Sequence, residues 1–264
     1  MSRGAFAAIS LGAAGALSAL GRPHAPFVNE DDTAITVDRA PLQEADDSTG
    51  AYAAYPKTMT AQTPGVVVTM HIWGVDAQIR DTVRRLAKAG YAAIAPDLYS
   101  RFDAPSGDGV SDISIFRPFA ARLNERQLSG DLRAGALRLQ QKAPKSKSAV
   151  MGFCMGGHLA LLQSVDDAGV FHVVAPFYGA PKGIDPKAVA MPVCGSYGER
   201  DTSIPADEVR AWAKALTVPN DIKIYSAAGH AFFDDTRNSY VASAAEDAWN
   251  RTITFFKENL GPQS

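Results

Sequence analysis

Cysteine is nearly missing from this chain, and neither sign of charge dominates it. Cys154 and Cys194 are the two cysteines among 264 residues. Neither stands in a Cys-x-x-Cys or Cys/His ligand spacing, which excludes a disulfide scaffold or a structural zinc site as the basis of the fold. Two free thiols are expected. The 26 Lys and Arg residues are scattered and balanced by 28 Asp and Glu, for a net charge of −2. No basic face is available to follow a phosphate backbone, so nucleic acid is not an expected partner. Internal repeats are absent, and so is any apolar run convincing as a membrane span; stable membrane insertion is not expected.

The first twenty residues, "MSRGAFAAISLGAAGALSAL", carry one basic residue, Arg3, followed by small apolar residues over about the length of a secretory signal core. "SRGAF" resembles a twin-arginine export signal, S-R-R-x-F, except that Gly4 stands where the second arginine belongs. Export to a periplasmic or extracellular location is the expectation, with cleavage between Ala19 and Ala25; a leader retained in the cytoplasm is the alternative. The Pro- and Asp-rich stretch from Gly21 to about Asp32 reads as a linker, which assigns residues 1–32 to leader and linker and residues 33–264 to one domain.

Hydrophobic residues make up 46% of the chain, enough for a full core. From residue 65 a βαβ rhythm sets in. "GVVVTMHIWG" is a β-branched run suited to a strand buried on both faces, "DAQIRDTVRRLAKAG" has helical spacing closed by Gly90, and "YAAIAPDLY" is a second buried strand. The rhythm continues through the helix "ERQLSGDLRAGALRLQQKA", the strand "KSAVMGF", the helix "MGGHLALLQSV" and the strand "FHVVAPFYG". It ends with the strand in "MPVCGSYGERD", the helix "PADEVRAWAKAL", the strand "DIKIYSAAGH" and a helix in "SYVASAAEDAWNRTITFFKENL". The predicted class is α/β: a mostly parallel, doubly wound sheet with helices on both faces and its sites at the carboxyl ends of the strands.

"GFCMGG" is a strand-to-helix turn of the G-x-nucleophile-x-G kind, with Cys154 at its centre. At a helix start the thiol meets unpaired N–H groups and the positive end of the helix dipole, both of which favour thiolate. The turn alone leaves open a small buried cysteine beside glycines. Asp201 in "GERDTSIP" and His230 in "AAGHAFFDD" follow in the order nucleophile, acid, histidine, each in a loop after a predicted strand. Taken singly, Asp201 reads equally as a helix cap and His230 as a loop filler; together with Cys154 they predict a triad.

The segments "VVVTMHIWGVDAQIRDTVRRLAKAGYAAIAPDLYSR", "GFCMGG", "GERD", "GHAFFDD" and "SYVASAAEDAWNRTITFF" resemble the dienelactone hydrolase, or carboxymethylenebutenolidase-like, family from about Val66 to Phe256. The resemblance implies an α/β-hydrolase fold, no metal or organic cofactor, and hydrolysis of a small-molecule ester or lactone through a thioester. It implies Cys154 as nucleophile, His230 as general base and acid, and Asp201 as the group orienting the imidazole. It also implies an oxyanion hole from the backbone N–H groups of Ile72 and Met155, where an amide beside the nucleophile and one from an early loop can meet developing charge.

Two positions depart from the family pattern. His71 stands where a glutamate usually contacts and activates the resting cysteine, so a histidine contact with the thiol is expected, against the alternative of a loop-opening histidine that shapes the oxyanion loop. Of two arginines that clamp a substrate carboxylate, Arg101 matches the first, while Asp234 occupies the second position and is expected to repel such a group. Trp73 and Phe232, adjacent to Ile72 and His230, are pocket candidates, with ordinary core packing the alternative. His158 and His172 read as structural. The leading expectation is therefore a cysteine hydrolase. A broad carboxylesterase for neutral esters is the nearest alternative, and a catalytically quiet ligand-binding protein is the alternative from another class. Nothing in the sequence fixes the oligomeric state; a monomer is favoured.

Overall fold

A computed structural model describes residues 26–39, 41–42, 49–165 and 169–261. The leader and its expected cleavage site lie outside the described residues. Among the described residues, eight strands form one sheet in the order β1-β2-β4-β3-β5-β6-β7-β8. β1 (Ile35–Arg39) and β2 (Ala51–Pro56) are antiparallel, to each other and, for β2, to β4 (Ala92–Pro96). β3 (Gly65–Thr69), β4, β5 (Ser148–Phe153), β6 (Val173–Phe177), β7 (Val193–Gly198) and β8 (Asn220–Tyr225) run parallel. The expected α/β-hydrolase class is borne out.

The strand side chains divide by the period of two that a pleated sheet imposes. Val66, Val68, Ala149, Met151 and Phe153 enter one core with Ile79, Val83 and Leu86 of α1 (Ala77–Lys88) and Ala248 and Phe256 of α6 (Ala242–Leu260). Val67, Val150 and Val174 enter the other with Leu132 and Leu139 of α3 (Glu125–Lys142) and Ala160 and Leu161 of α4 (Met155–Gln163). Both faces are thus covered, which is why the central strands read as continuous apolar runs. A short helix α2 (Arg117–Ala120) precedes α3, and α5 (Ala206–Ala215) lies between β7 and β8. Among the described residues, no helix is long and apolar enough to cross a membrane.

The linker reading requires one correction. Val28 is buried, and the backbone N–H groups of Phe27 and Val28 donate to Asp81 at 3.1 and 3.0 Å. Arg84 Nε donates to the Val28 carbonyl at 2.5 Å, and Lys88 reaches Asp32 at 2.7 Å. Polar anchors on α1 therefore bind the chain onto the domain ahead of residue 33. β1 and β2 were not anticipated either. "ITVDR" and "AYAAYP" are short, and at the sheet's end a Tyr- and Ala-rich pattern carries little period-two signal.

Candidate functional site

Cys154, Asp201 and His230 follow β5, β7 and β8, so the parallel topology brings their loops to one edge of the sheet. Cys154 has φ 54° and ψ −117°, a left-handed conformation that costs a side-chain-bearing residue energy. Close packing around the bend enforces it. A Cβ on Gly152 would fall 2.0 Å from the Gly156 carbonyl oxygen, and one on Gly156 would fall 2.3 Å from that of Thr69. Glycine at both positions lets α4 start directly against the ends of β3 and β5, and the thiol is pushed outward from the bend.

His230 Nε2 lies 3.0 Å from Cys154 Sγ, and its Nδ1 lies 2.7 Å from Asp201 Oδ2. The Asp201 side chain is 1% exposed, and its other oxygen accepts the Ser203 and Ile204 N–H groups at 2.8 and 3.1 Å. That pairing fixes the carboxylate before it meets the ring. Burial alone opposes charge on both members of the thiol–imidazole pair. The His230 contact, its charge, the more distant charge of His71 and the Met155 N–H outweigh burial and hold the Cys154 thiol below its ordinary value. Reciprocally, Asp201 and Cys154 overcome burial and push His230 up to about 10. Each member of the pair thus favours the charged form of the other.

Ile72, whose N–H is the second expected donor, lies in the loop after β3. The Ile72 carbonyl accepts the Tyr99 hydroxyl at 3.0 Å, and the Trp73 N–H donates to His71 Nδ1 at 3.1 Å. One peptide unit is therefore held from both edges. Gly74, at φ 84°, closes the turn through its N–H on the His71 carbonyl at 3.1 Å. The Met155 N–H lies against the Cys154 sulfur.

Several other expectations need correction. His71 does not hydrogen-bond the thiol. It is 2% exposed, its Nδ1 takes the Trp73 N–H, and its Nε2 sits 3.2 Å from Asp76 Oδ1 and 3.8 Å from Asp234 Oδ2. Burial opposes its protonation, but the two carboxylates outweigh burial and raise its affinity for a proton. The two departures from the family pattern thus neighbour each other. Asp234 faces no substrate space: it is fully buried, with Oδ1 accepting the Thr236 N–H at 3.0 Å and Oδ2 lying 3.3 Å from Arg237 Nε. Arg101 donates to both oxygens of Asp131, at 2.8 and 3.0 Å, and to Thr49 Oγ1, so its fork is already filled. Phe232 is core, packed 5.5 Å from the Tyr178 ring and 5.2 Å from the Tyr225 ring. Trp73 does line space, a polar cavity of about 400 Å³ shared with Asp97, Tyr99, Ser100 and residues 103–107. Neither Cys154 nor His230 lines that cavity, so it flanks the site.

Sequence reading missed Asp76, Tyr178 and Arg237. Asp76 opens α1 by accepting the Ile79 N–H at 3.2 Å, a cap legible in "DAQI". Tyr178 directly follows β6, at the edge that carries the site, with φ 38° and its ring 5.2 Å from that of His230. Burial and then the charges of Asp234, Cys154 and Asp76 keep its phenol protonated, and its buried hydroxyl has no partner among the described residues. Arg237 carried no local signal. His71, Asp76 and Asp234 form a donor set of the type that binds divalent cations. The guanidinium of Arg237, however, already contacts both carboxylates.

Comparisons with known proteins identify the family and the fold. The profile of the dienelactone hydrolase family matches residues 49–260. A Yersinia pestis protein named "Putative carboxymethylenebutenolidase" is 35% identical over 231 residues, covering 81% of this chain and 85% of that protein. An Escherichia coli K12 protein of the same name is 33% identical over 255 residues, covering 90% and 93%. The crystal structure of a "Putative Dienelactone Hydrolase" from Klebsiella pneumoniae superimposes with a TM-score of 0.78 at 30% identity, covering 86% of this chain and all of that one.

Proposed function

The chain belongs to the dienelactone hydrolase family, and from that premise we propose that it hydrolyses a small ester or lactone through an acyl-thioester on Cys154. The observation that carries this reading is the continuous line from Asp201 Oδ2 through the His230 ring to Cys154 Sγ, at 2.7 and 3.0 Å.

The thiolate attacks the carbonyl carbon, and the charge that develops on its oxygen is met by the Met155 and Ile72 N–H groups. The imidazolium then gives its proton to the departing alkoxide, leaving a thioester and a neutral His230. Water attacks the thioester while His230 takes its proton; collapse expels the thiolate, releases the acid and restores the ion pair. No further group is needed for the protons to balance.

Within this reading a neutral ester is the favoured substrate. Arg101 is engaged by Asp131 and Thr49, and Asp234 presents no positive charge where a carboxylate clamp would need one. The quiet binding-protein reading is disfavoured by the lowered thiol, which a passive pocket has no reason to maintain. Cys154→Ala is expected to reduce hydrolysis of a neutral aryl ester by on the order of 10⁴-fold or more, with an unchanged circular dichroism spectrum. Undiminished turnover in that variant rejects the proposal.

A further inference from the structure

Arg237 is 7% exposed and joins three segments: the loop between β3 and α1, the crossover after β4 and its own stretch after β8. Its Nη2 lies 3.2 Å from Asp76 Oδ2 at the start of α1, and its Nε lies 3.3 Å from Asp234 Oδ2 after β8. Its Nη1 donates to the Val110 carbonyl in the crossover that follows β4. Its Cζ sits 3.8 Å from the centroid of the Trp73 ring, in the loop that carries Ile72. Trp73 in turn meets the His71 ring edge to face, with centroids 5.0 Å apart at 81°.

Burying a guanidinium, an imidazole and two carboxylates is not an economical route to stability, because well-packed apolar side chains of similar volume usually do as well or better. Such a cluster is better explained by the geometry it specifies. Here that geometry is the turn from His71 to Gly74. The same guanidinium that contacts Asp76 and Asp234 sits over the Trp73 ring, and those carboxylates lie 3.2 and 3.8 Å from His71 Nε2 while His71 Nδ1 accepts the Trp73 N–H. A planar fork can bind carboxylates in its plane and stack on a ring at once; a lysine ammonium cannot.

We propose that Arg237 is a positioning residue: through Trp73 and His71 it sets the turn that aims the Ile72 N–H at the substrate oxyanion, without touching substrate or thiol. The inference rests on the hydrolase reading above. A donor displaced by about 1 Å can cost as much as 100-fold in rate, so a loosened turn lowers the rate of chemistry more than it lowers binding.

Arg237→Lys retains the charge and removes the fork and the stack. Trp73→Phe leaves every buried charge paired and weakens the stack alone, so it decides the matter if Arg237→Lys does not fold. Each variant is assayed for kcat and KM on a neutral aryl ester and for the rate at which iodoacetamide alkylates Cys154. Displacement of iodide builds no charge on a carbonyl oxygen, so alkylation reports the thiolate and not the oxyanion hole. Expected are a kcat lower by on the order of ten-fold for Arg237→Lys and about three-fold for Trp73→Phe. KM and alkylation rate should stay within about two-fold of the parent in both. Parental kcat in the folded variants overturns the inference; so does a parallel fall in alkylation, which would locate the effect at the thiol. The two failures separate: a parent protein without esterase activity, or an active Cys154→Ala, removes the hydrolase reading as well, whereas a dead Cys154→Ala beside fully active Arg237→Lys and Trp73→Phe removes the Arg237 role alone.

Discussion

The line Asp201–His230–Cys154 and the cluster His71–Asp76–Asp234–Arg237 are both built from ionisable groups at the carboxyl edge of the sheet, and they treat charge in opposite ways. In the first, the His230 side chain is 32% exposed and Cys154 sits on strained backbone, the two features the proposed mechanism needs in a pair that exchanges a proton with substrate. In the second, all four side chains are 7% exposed or less, and the Asp76 and Asp234 carboxylates are met by Arg237 with the His71 ring beside them. Strain and exposure mark the groups proposed to react. Enclosure and mutual neutralisation mark the groups that hold them.

Asp201→Asn strikes the first group hardest, because it withdraws the charge that favours the imidazolium and permits the wrong tautomer. A fall in kcat on the order of 10³–10⁴-fold is expected. The pH profile should move with it. In the parent, a lowered Cys154 gives a thiolate that is lost as pH falls through the thiol's depressed value, and His230 keeps its leaving-group proton until pH rises through about 10. In Asp201→Asn the alkaline limb of kcat/KM shifts to lower pH. An unmoved limb would show that Asp201 does not set the His230 proton affinity.

Asp234→Asn strikes the second group and should cost less in rate, on the order of ten-fold or under. Its thermal midpoint should fall, since Arg237 loses a buried counter-charge, by about 1–3 kcal/mol in stability. Activity toward a carboxylate-bearing ester should not rise relative to a neutral one. A selective gain would place Asp234 against the substrate and break the division between the two regions. The smallest kinetic effect is expected for Arg101→Gln. With its guanidinium already on Asp131 and Thr49, the ratio of kcat/KM for the two esters should stay within about two-fold even as stability drops, and competition between the esters in one assay measures that ratio directly.

The reach of the sequence differs between the same two regions. Cys154, Asp201 and His230 were legible because each sits just past a strand with a strong apolar signature, in an order that few chains present by chance. The central parallel strands were legible for the same reason. His71 and Asp234 could be singled out as departures, but their mutual approach could not, since their contacts join the ends of β3 and β8 across more than 150 residues. Arg237 was invisible: an arginine in the polar stretch "DDTRNSY" looks solvated until the fold places Trp73 and two carboxylates around it. The strands β1 and β2 and the docked segment around Val28 were missed because their order comes from partners on α1 and β4 and not from local pattern.

Acid-quenched mass spectrometry of the parent protein mixed with a slowly turned-over neutral aryl ester tests the central claim most directly. The account predicts one acyl group per chain, mapped to the peptide containing Cys154, labile to hydroxylamine and absent from Cys154→Ala. Hydrolysis at the parental rate with no acyl group on Cys154, or with the acyl group on another residue, would contradict it.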